Sequence, residues 1–274
     1  MMKADLHMHT IHSDGDLSVK ALIKRAIDKK LDYIAITDHD TLKGVYEARL
    51  YKELKINIIP GIELSTSYEG ESVHVLGYFK HIINAGGPLQ QFMDKQKEIR
   101  DQRAYKMVEL IDQHFNIQID PKDVFNQTSG IITRGHIAKV ILNKYPEYTN
   151  ASLFETVLSN DSKAYLASTK ISTQDGINLL KQSGALVVIA HPGLYKKLTF
   201  EKLFTLGADG IEADYKSHQP VYRERLKHEL KKRHMIYTAG SDFHGDVTLN
   251  HGDIGDEYLE GEALNLFLEK LNQR

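Results

Sequence analysis

Cysteine is absent from the chain, which removes disulfides, thiolate metal ligands and a thiol nucleophile together. Nor does any apolar run approach the ~20 residues that a membrane-spanning helix needs. The N-terminal MMKADLHMHT lacks the apolar core of a signal peptide and runs almost at once into a strand-like stretch. The expected compartment is therefore the cytoplasm. A dominant charge is missing too: 35 basic side chains stand against 37 acidic ones, for a formal net charge of −2. Proteins that track duplex nucleic acid draw their affinity from a basic face. The balance here fits a small phosphorylated molecule or the end of a short single-stranded oligonucleotide instead.

What is present is histidine, 14 residues in 274, and its placement matters more than its number. The first sixty residues read β-α-β-α-β: a strand from Lys3 to His7, a helix from Leu17 to Lys30, a strand from Asp32 to Thr37, a helix from Leu42 to Leu54 and a strand from Ile56 to Pro60. That alternation is the pattern of parallel strands joined by crossover helices. A hairpin is expected from Ser65–Tyr68 and Ser72–Phe79, turning at Glu69-Gly70. The rhythm breaks at Gly86-Gly87-Pro88, and from about 88 to 170 only helical patterns occur. These include a long charged helix over Leu89–Phe115 and shorter ones over Arg134–Lys144 and Leu153–Ser159.

Helices over Thr173–Ser183, Phe200–Leu206, Tyr222–His234 and Glu262–Leu271 then alternate with strands over Ala185–Ala190, Gly210–Ala213 and Met235–Ala239. Strands near residues 4, 34, 58, 75, 187, 211 and 237 predict an α/β chain built as a distorted (β/α)7 barrel. Residues 1–87 and 171–274 would form the barrel, with 88–170 as a small helical insertion or cap. Catalytic groups of such barrels gather on loops at the C-terminal ends of the strands.

Nine candidate metal ligands fall at or near those ends: His7 and His9 in DLHMH, Asp14 in HSDGD, His39 in TDHD, Glu63 in PGIE, His74 in SVHVLG, His191 in IAHPG, and Asp242 and His244 in SDFH. The two-residue period of a strand turns both imidazoles of His7-Met8-His9 the same way, so both can reach one ion. Asp242-Phe243-His244 repeats the spacing on the last strand, which in a barrel lies beside the first. Asp38 and Asp40 flank His39 and are expected to orient an imidazole rather than bind metal. Glu63 is singled out because a carboxylate can bridge two ions and an imidazole cannot. Three divalent ions would outweigh the three carboxylates by about three formal charges, which suits a phosphate dianion plus hydroxide.

DLHMHTIHSDG, AITDHDT, IPGIEL, VHVLGY, IAHPG and GSDFH, in this order, resemble the motifs of the polymerase and histidinol phosphatase (PHP) family of phosphoesterases. The resemblance implies two or three Mn, Fe or Zn ions at the barrel mouth. One would be held by His7, His9, Glu63 and Asp242, a second by Glu63, His74 and His191, and a third by Asp14, His39 and His244. It also singles out ITRGHIAK in the helical segment, with Arg134 and His136 as candidate substrate-binding and catalytic residues.

Some relatives place an arginine directly after HPG, where this chain has Leu194, with Lys196 and Lys197 as the nearest bases. Glu212 and His218 are further candidates for lining a substrate pocket, and His244 or His136 for protonating a leaving alcohol. The expected activity is hydrolysis of a phosphate ester of a nucleotide (mononucleotide, 3′,5′-bisphosphate or oligonucleotide end) by metal-activated hydroxide. Histidinol-phosphate hydrolysis and a non-catalytic metal-binding module are the alternatives.

Overall fold

The computed structural model describes residues 1–81, 87–128, 130–166, 171–245, 247–248 and 250–274. Gly86 and the expected insertion boundary at residue 170 lie outside them. In chain order the elements are β1 (Lys3–Asp5), α1 (Val19–Asp28), β2 (Tyr33–Ile36), α2 (Lys43–Ala48), β3 (Asn57–Tyr68), β4 (Glu71–Tyr78), α3 (Pro88–Phe115), α4 (Pro121–Phe125), α5 (Arg134–Lys144) and α6 (Asn150–Glu155). There follow β5 (Ile171–Ser172), α7 (Thr173–Gln182), β6 (Leu186–Ile189), β7 (Gly210–Asp214), α8 (Pro220–Lys232), β8 (Ile236–Ala239), β9 (Leu259–Glu260) and α9 (Gly261–Asn272).

The strands form one sheet in the order β8-β7-β6-β4-β3-β2-β1-β9, with β5 added against β3. Beyond the ends of β8 and β1 the sheet curls nearly closed. Leu6 N–H donates to the Ala239 carbonyl at 3.1 Å, Asp242 N–H to that of His7 at 2.8 Å, and His9 N–H to that of Phe243 at 2.9 Å. Gly240 is required at this seam, because a Cβ there would lie 2.3 Å from the His7 Cβ.

Two features depart from seven parallel βα units. The stretches read as a strand over Ile56–Pro60 and a hairpin arm over Ser65–Tyr68 are one twelve-residue strand, β3. It turns at Glu69 (φ 50°) and Gly70 (φ 81°). Positive φ at both central residues matches the twist of a tight hairpin. A two-residue turn can join only antiparallel strands, so β4 runs antiparallel to both β3 and β6. The helical stretch expected to Leu54 ends as α2 at Ala48 followed by a 3₁₀ turn over Arg49–Tyr51, and Phe200–Leu206 is a 3₁₀ turn over Lys202–Thr205. β5 and β9 have two residues each, too few to leave a periodic trace in sequence.

The core falls into three clusters. Ala4, Leu6, Leu76, Tyr78, Val188 and Ala239 from the strands are packed with Leu264, Phe267 and Leu271 of α9. Tyr78 meets Phe267 edge-on at 5.2 Å. A second cluster joins the other sheet face to α1, α7 and α8. The third, from Ala104 to Ala164, belongs to the helical segment alone. That segment is tied to the loop after β1: Ile131 N–H donates to the His12 carbonyl at 3.2 Å and the Thr128 hydroxyl to that of Ile11 at 2.8 Å. A Cβ on Gly130 would fall 1.5 Å from the His12 carbonyl oxygen, so a glycine is needed for this contact. Among the described residues no helix is long and apolar enough to cross a membrane.

Candidate metal centre

All nine candidate ligands meet in one connected cluster. Glu63 sits at its centre, in the middle of β3 rather than at a strand end. Its Oε2 faces His7 Nε2 (3.3 Å), His9 Nε2 (3.1 Å) and His39 Nδ1 (3.1 Å), and its Oε1 faces His74 Nδ1 (3.0 Å) and His191 Nε2 (3.1 Å). Asp242 Oδ1 lies 3.2 Å from both His7 Nε2 and His9 Nε2. Asp14 contacts His244 Nε2 at 3.3 Å, with His9 and His39 at 3.8 Å. His39 thus stands between two groups, closer to Glu63 than to Asp14.

The atoms in this cluster lack ordinary partners. His7 Nε2, His9 Nε2, His39 Nδ1, Glu63 Oε2, Asp242 Oδ1 and Asp14 Oδ1 are all buried without a hydrogen bond. Orphaned buried polar atoms are costly; five of these gather around Glu63 and His9, and the sixth, on Asp14, faces His244, an arrangement that fits more than one cation. Four edges of the His7–His9–Glu63–Asp242 set measure 3.1–3.3 Å. Donor atoms spaced this closely can share one divalent ion, whose bonds to nitrogen and oxygen are about 2.0–2.2 Å for zinc. The nitrogen and oxygen donors suit Mn, Fe or Zn.

Neighbouring groups fix which nitrogen faces inward. His7 Nδ1–H donates to Glu212 Oε1 at 3.0 Å, leaving Nε2 as the free acceptor. His9 Nδ1–H reaches Ser13 Oγ at 3.3 Å, and Ser13 in turn donates to Asp38 at 2.7 Å. His244 Nδ1–H donates to the Asp242 carbonyl at 2.8 Å. Such outer contacts set tautomer and ring orientation. Asp242 (φ 51°), His191 (φ 25°) and Asp40 (φ 49°) adopt positive φ, a strain that accumulates at functional sites.

Electrostatics match a site built for positive charge. Burial alone would raise the Glu63 carboxyl, but the imidazoles of His39, His7 and His74 outweigh it and hold it well below the usual carboxylate range. Burial likewise opposes a charge on His9, yet Asp242 and Glu63 push it up to about 10. His39 goes the other way: burial, aided by His9 and His74, takes it down to about 3.

Glu212 and His218 do not open onto solvent. Glu212 is fully buried, and its second oxygen accepts from His191 N–H at 2.7 Å. It is therefore an orienting group for His7 and the turn at His191. His218 Nδ1–H donates to the Ala213 carbonyl at 2.9 Å, and Nε2 accepts from Gly193 N–H at 3.0 Å. Asp38 accepts from Thr10 and Ser13, and Asp40 from Ser65 N–H at 2.7 Å and from Arg100 of α3.

A cleft of about 550 Å³ is lined by Asp14 and His244 together with His136 and Lys139 of α5 and Phe154 of α6. His136 faces it from the N-terminus of α5, where Nδ1 accepts from Thr133 N–H at 3.0 Å and burial lowers its pKa. Arg134 does not line it. Its guanidinium donates to the Leu158 carbonyl (2.7 Å) and Asn160 (2.9 Å) and lies 5.7 Å from the Phe154 ring and 5.3 Å from that of Tyr165.

Three neighbours escaped sequence reasoning. The Tyr215 hydroxyl donates to Asp242 at 3.2 Å, and the Tyr195 oxygen lies 3.3 Å from His191 Nδ1. His251 stacks on His244 at 4.3 Å and joins Asp242 and His244 in a further potential ligand group. Tyr195, four residues past His191, was the one with a local signal.

The PHP domain family matches residues 5–169. The chain belongs to the PHP family. The 5′-3′ exoribonuclease Rnm of Escherichia coli K12 is 31% identical over 252 residues, covering 88% of this chain and 84% of that protein. A 3′,5′-nucleoside bisphosphate phosphatase of Chromobacterium violaceum is 27% identical, covering 89% and 88%. A solved Bifidobacterium adolescentis structure, assigned as a metal-dependent phosphoesterase, aligns over 99% of this chain and 98% of its own at 29% identity, with a TM-score of 0.86. This PHP protein is accordingly a metal-dependent phosphoric ester hydrolase.

Proposed function

We propose that this PHP enzyme hydrolyses a phosphate ester of a nucleotide: a mononucleotide, a 3′,5′-bisphosphate or the end of a short single-stranded oligonucleotide. The observation that carries the reading is the cluster of orphaned ligand atoms whose outer members, Asp14 with its partner His244, line the 550 Å³ cleft. Its size falls within the ~300–1,000 Å³ of small-ligand sites. The relatives named for RNA and nucleoside bisphosphates span most of this chain. Residues 88–170 are assigned as a cap over the barrel of 1–87 and 171–274.

His7, His9, Glu63 and Asp242 would hold one divalent ion, Glu63, His74 and His191 a second, and Asp14, His39 and His244 a third. Bound ions would supply Lewis acidity toward phosphoryl oxygens and lower the pKa of the attacking water. The chain contributes position and proton control. Glu63 turns one oxygen to each side, so one carboxylate serves two sets. Glu212 and the Ser13–Asp38 pair hold His7 and His9 with Nε2 inward. His136 is the imidazole assigned to the leaving oxygen; His244, with Nδ1–H on the Asp242 carbonyl and Nε2 facing Asp14, has no nitrogen left for it when it holds an ion. Because Nδ1 of His136 accepts from Thr133, its proton sits on Nε2, and burial keeps the ring neutral. To act as a neutral hydrogen-bond donor toward the leaving oxygen, that N–H would have to be shared with the Ser13 backbone carbonyl.

The test is phosphate release from mononucleotides, 3′,5′-bisphosphonucleotides, short RNA and histidinol phosphate, with protein loaded with Mn, Fe or Zn. A nucleotide-class substrate should exceed histidinol phosphate by about tenfold or more in kcat/KM. Preference for histidinol phosphate, or no turnover of any nucleotide, contradicts the reading.

A further inference from the structure

The rest of the cleft wall has a chemistry unlike the metal ligands Asp14 and His244 that share it. Lys139 is the one lysine or arginine on its wall, and it is 3.1 Å from Asp16, which also lines the cleft. A wall so neutralised offers little to a second phosphate, which calls for unspent cationic donors. Apolar side chains line the cleft as well. Phe154 is 38% exposed and Ile11 39%, and both line this cleft. Among the described residues Phe154 is the one phenylalanine left exposed. Its ring is braced by Arg134, itself anchored to Leu158 and Asn160. Asn143 of α5 and Asn150, one turn before Phe154 on α6, also line the cleft and make no side-chain hydrogen bond among the described residues. Each amide offers both donors and an acceptor.

An exposed aromatic face, a second apolar side chain on the same cleft and two uncommitted amides describe a receptor for a flat, uncharged ring with a polar edge. We propose that Phe154, Ile11, Asn143 and Asn150 form a nucleobase subsite, with Phe154 as the stacking face and the asparagines contacting the base edge. This rests on the nucleotide reading above and deepens it: the enzyme recognises the nucleoside as well as the phosphate. Arg134 acts on substrate through Phe154, by holding the ring.

The experiment compares substrates with and without a base: adenosine 5′-monophosphate against ribose 5-phosphate, and a short RNA against the same RNA with an abasic terminal residue. The kcat/KM ratio within each pair cancels any loss that both members share. In Phe154→Ala this ratio should fall roughly five- to hundredfold, the usual effect of removing a base-stacking ring. Phe154→Tyr should keep it. Should the alanine variant fail to fold, Phe154→Leu, which keeps apolar volume without a ring, should show the same fall. A ratio unchanged in the alanine or leucine variant overturns the subsite while leaving nucleotide hydrolysis standing. If wild-type enzyme turns over other phosphate esters but no nucleotide or RNA, the parent reading falls and the subsite with it.

Discussion

The barrel mouth and the helical segment face the same cleft, yet their polar groups are organised in opposite ways. At the mouth, six buried ligand atoms lack conventional hydrogen bonds and face mainly one another, while the far sides of the His7 and His9 rings are tied to Glu212 and Ser13. In the helical segment Arg134 and His136 spend their hydrogen bonds locally, on Leu158, Asn160 and Thr133. Polar groups left unsatisfied in the interior mark where a charged ligand belongs. Groups satisfied by their own helices shape a surface instead. The mouth is thus built for charge, and the segment for the shape of what carries the charge.

The largest effect should come from Glu63→Gln, because five imidazoles converge on that carboxylate. Losing its charge between two cations should lower kcat/KM on the order of a thousandfold, since several kcal/mol of transition-state stabilisation is at stake. It should also release at least one ion by elemental analysis. A variant with full metal content and near-normal turnover would show that Glu63 does not bridge.

Glu212→Gln leaves every proposed ligand in place and removes only the charge behind His7. Metal affinity or turnover should fall about ten- to a hundredfold, measured by titration with Mn. No change would mean that Glu212 is a packing residue.

Proton release sharpens the comparison further. In the metal-free protein Asp242 and Glu63 overcome burial to push His9 up to about 10, so near neutral pH it carries a proton that an incoming ion must displace. Metal affinity should therefore rise with pH from about 6 to 9, by up to tenfold per unit for each proton lost. Calorimetry in buffers of different ionisation enthalpy should detect the release. Affinity independent of pH would contradict it.

The smallest effect is expected in the helical segment. Arg134→Ala should cost only about two- to tenfold in kcat/KM, the scale of a lost cation–π contact, and only on substrates that carry a base. Metal content should not move. A large loss on base-free esters as well would return Arg134 to direct contact with phosphate.

Much of the mouth was legible because buried strands that stop abruptly in histidine or aspartate leave a sharp local pattern, as at His7, His39, His191 and Asp242. Glu63 was legible as a residue but not in its position. The alternation of Ile62 and Leu64 with Glu63 and Ser65 continues unbroken to Tyr68, so a strand end expected near Pro60 became the middle of β3. Glu212 was read as pocket lining because its partner His7 lies 205 residues away. Arg134 was equally opaque, since its partners are 24 and 26 residues distant on an irregular turn. His251 follows a loop with no hydrophobic period, and nothing in the spacing from His244 announces the stacking. Local pattern fixes what leaves a strand; partners across the fold decide what that side chain does.

The most direct measurement is anomalous diffraction from crystals grown with Mn. At least two peaks should appear among His7, His9, Glu63, Asp242 and the flanking histidines, with Glu63 touching two of them. A single peak, or peaks away from these side chains, would contradict the shared cluster on which the proposed chemistry stands.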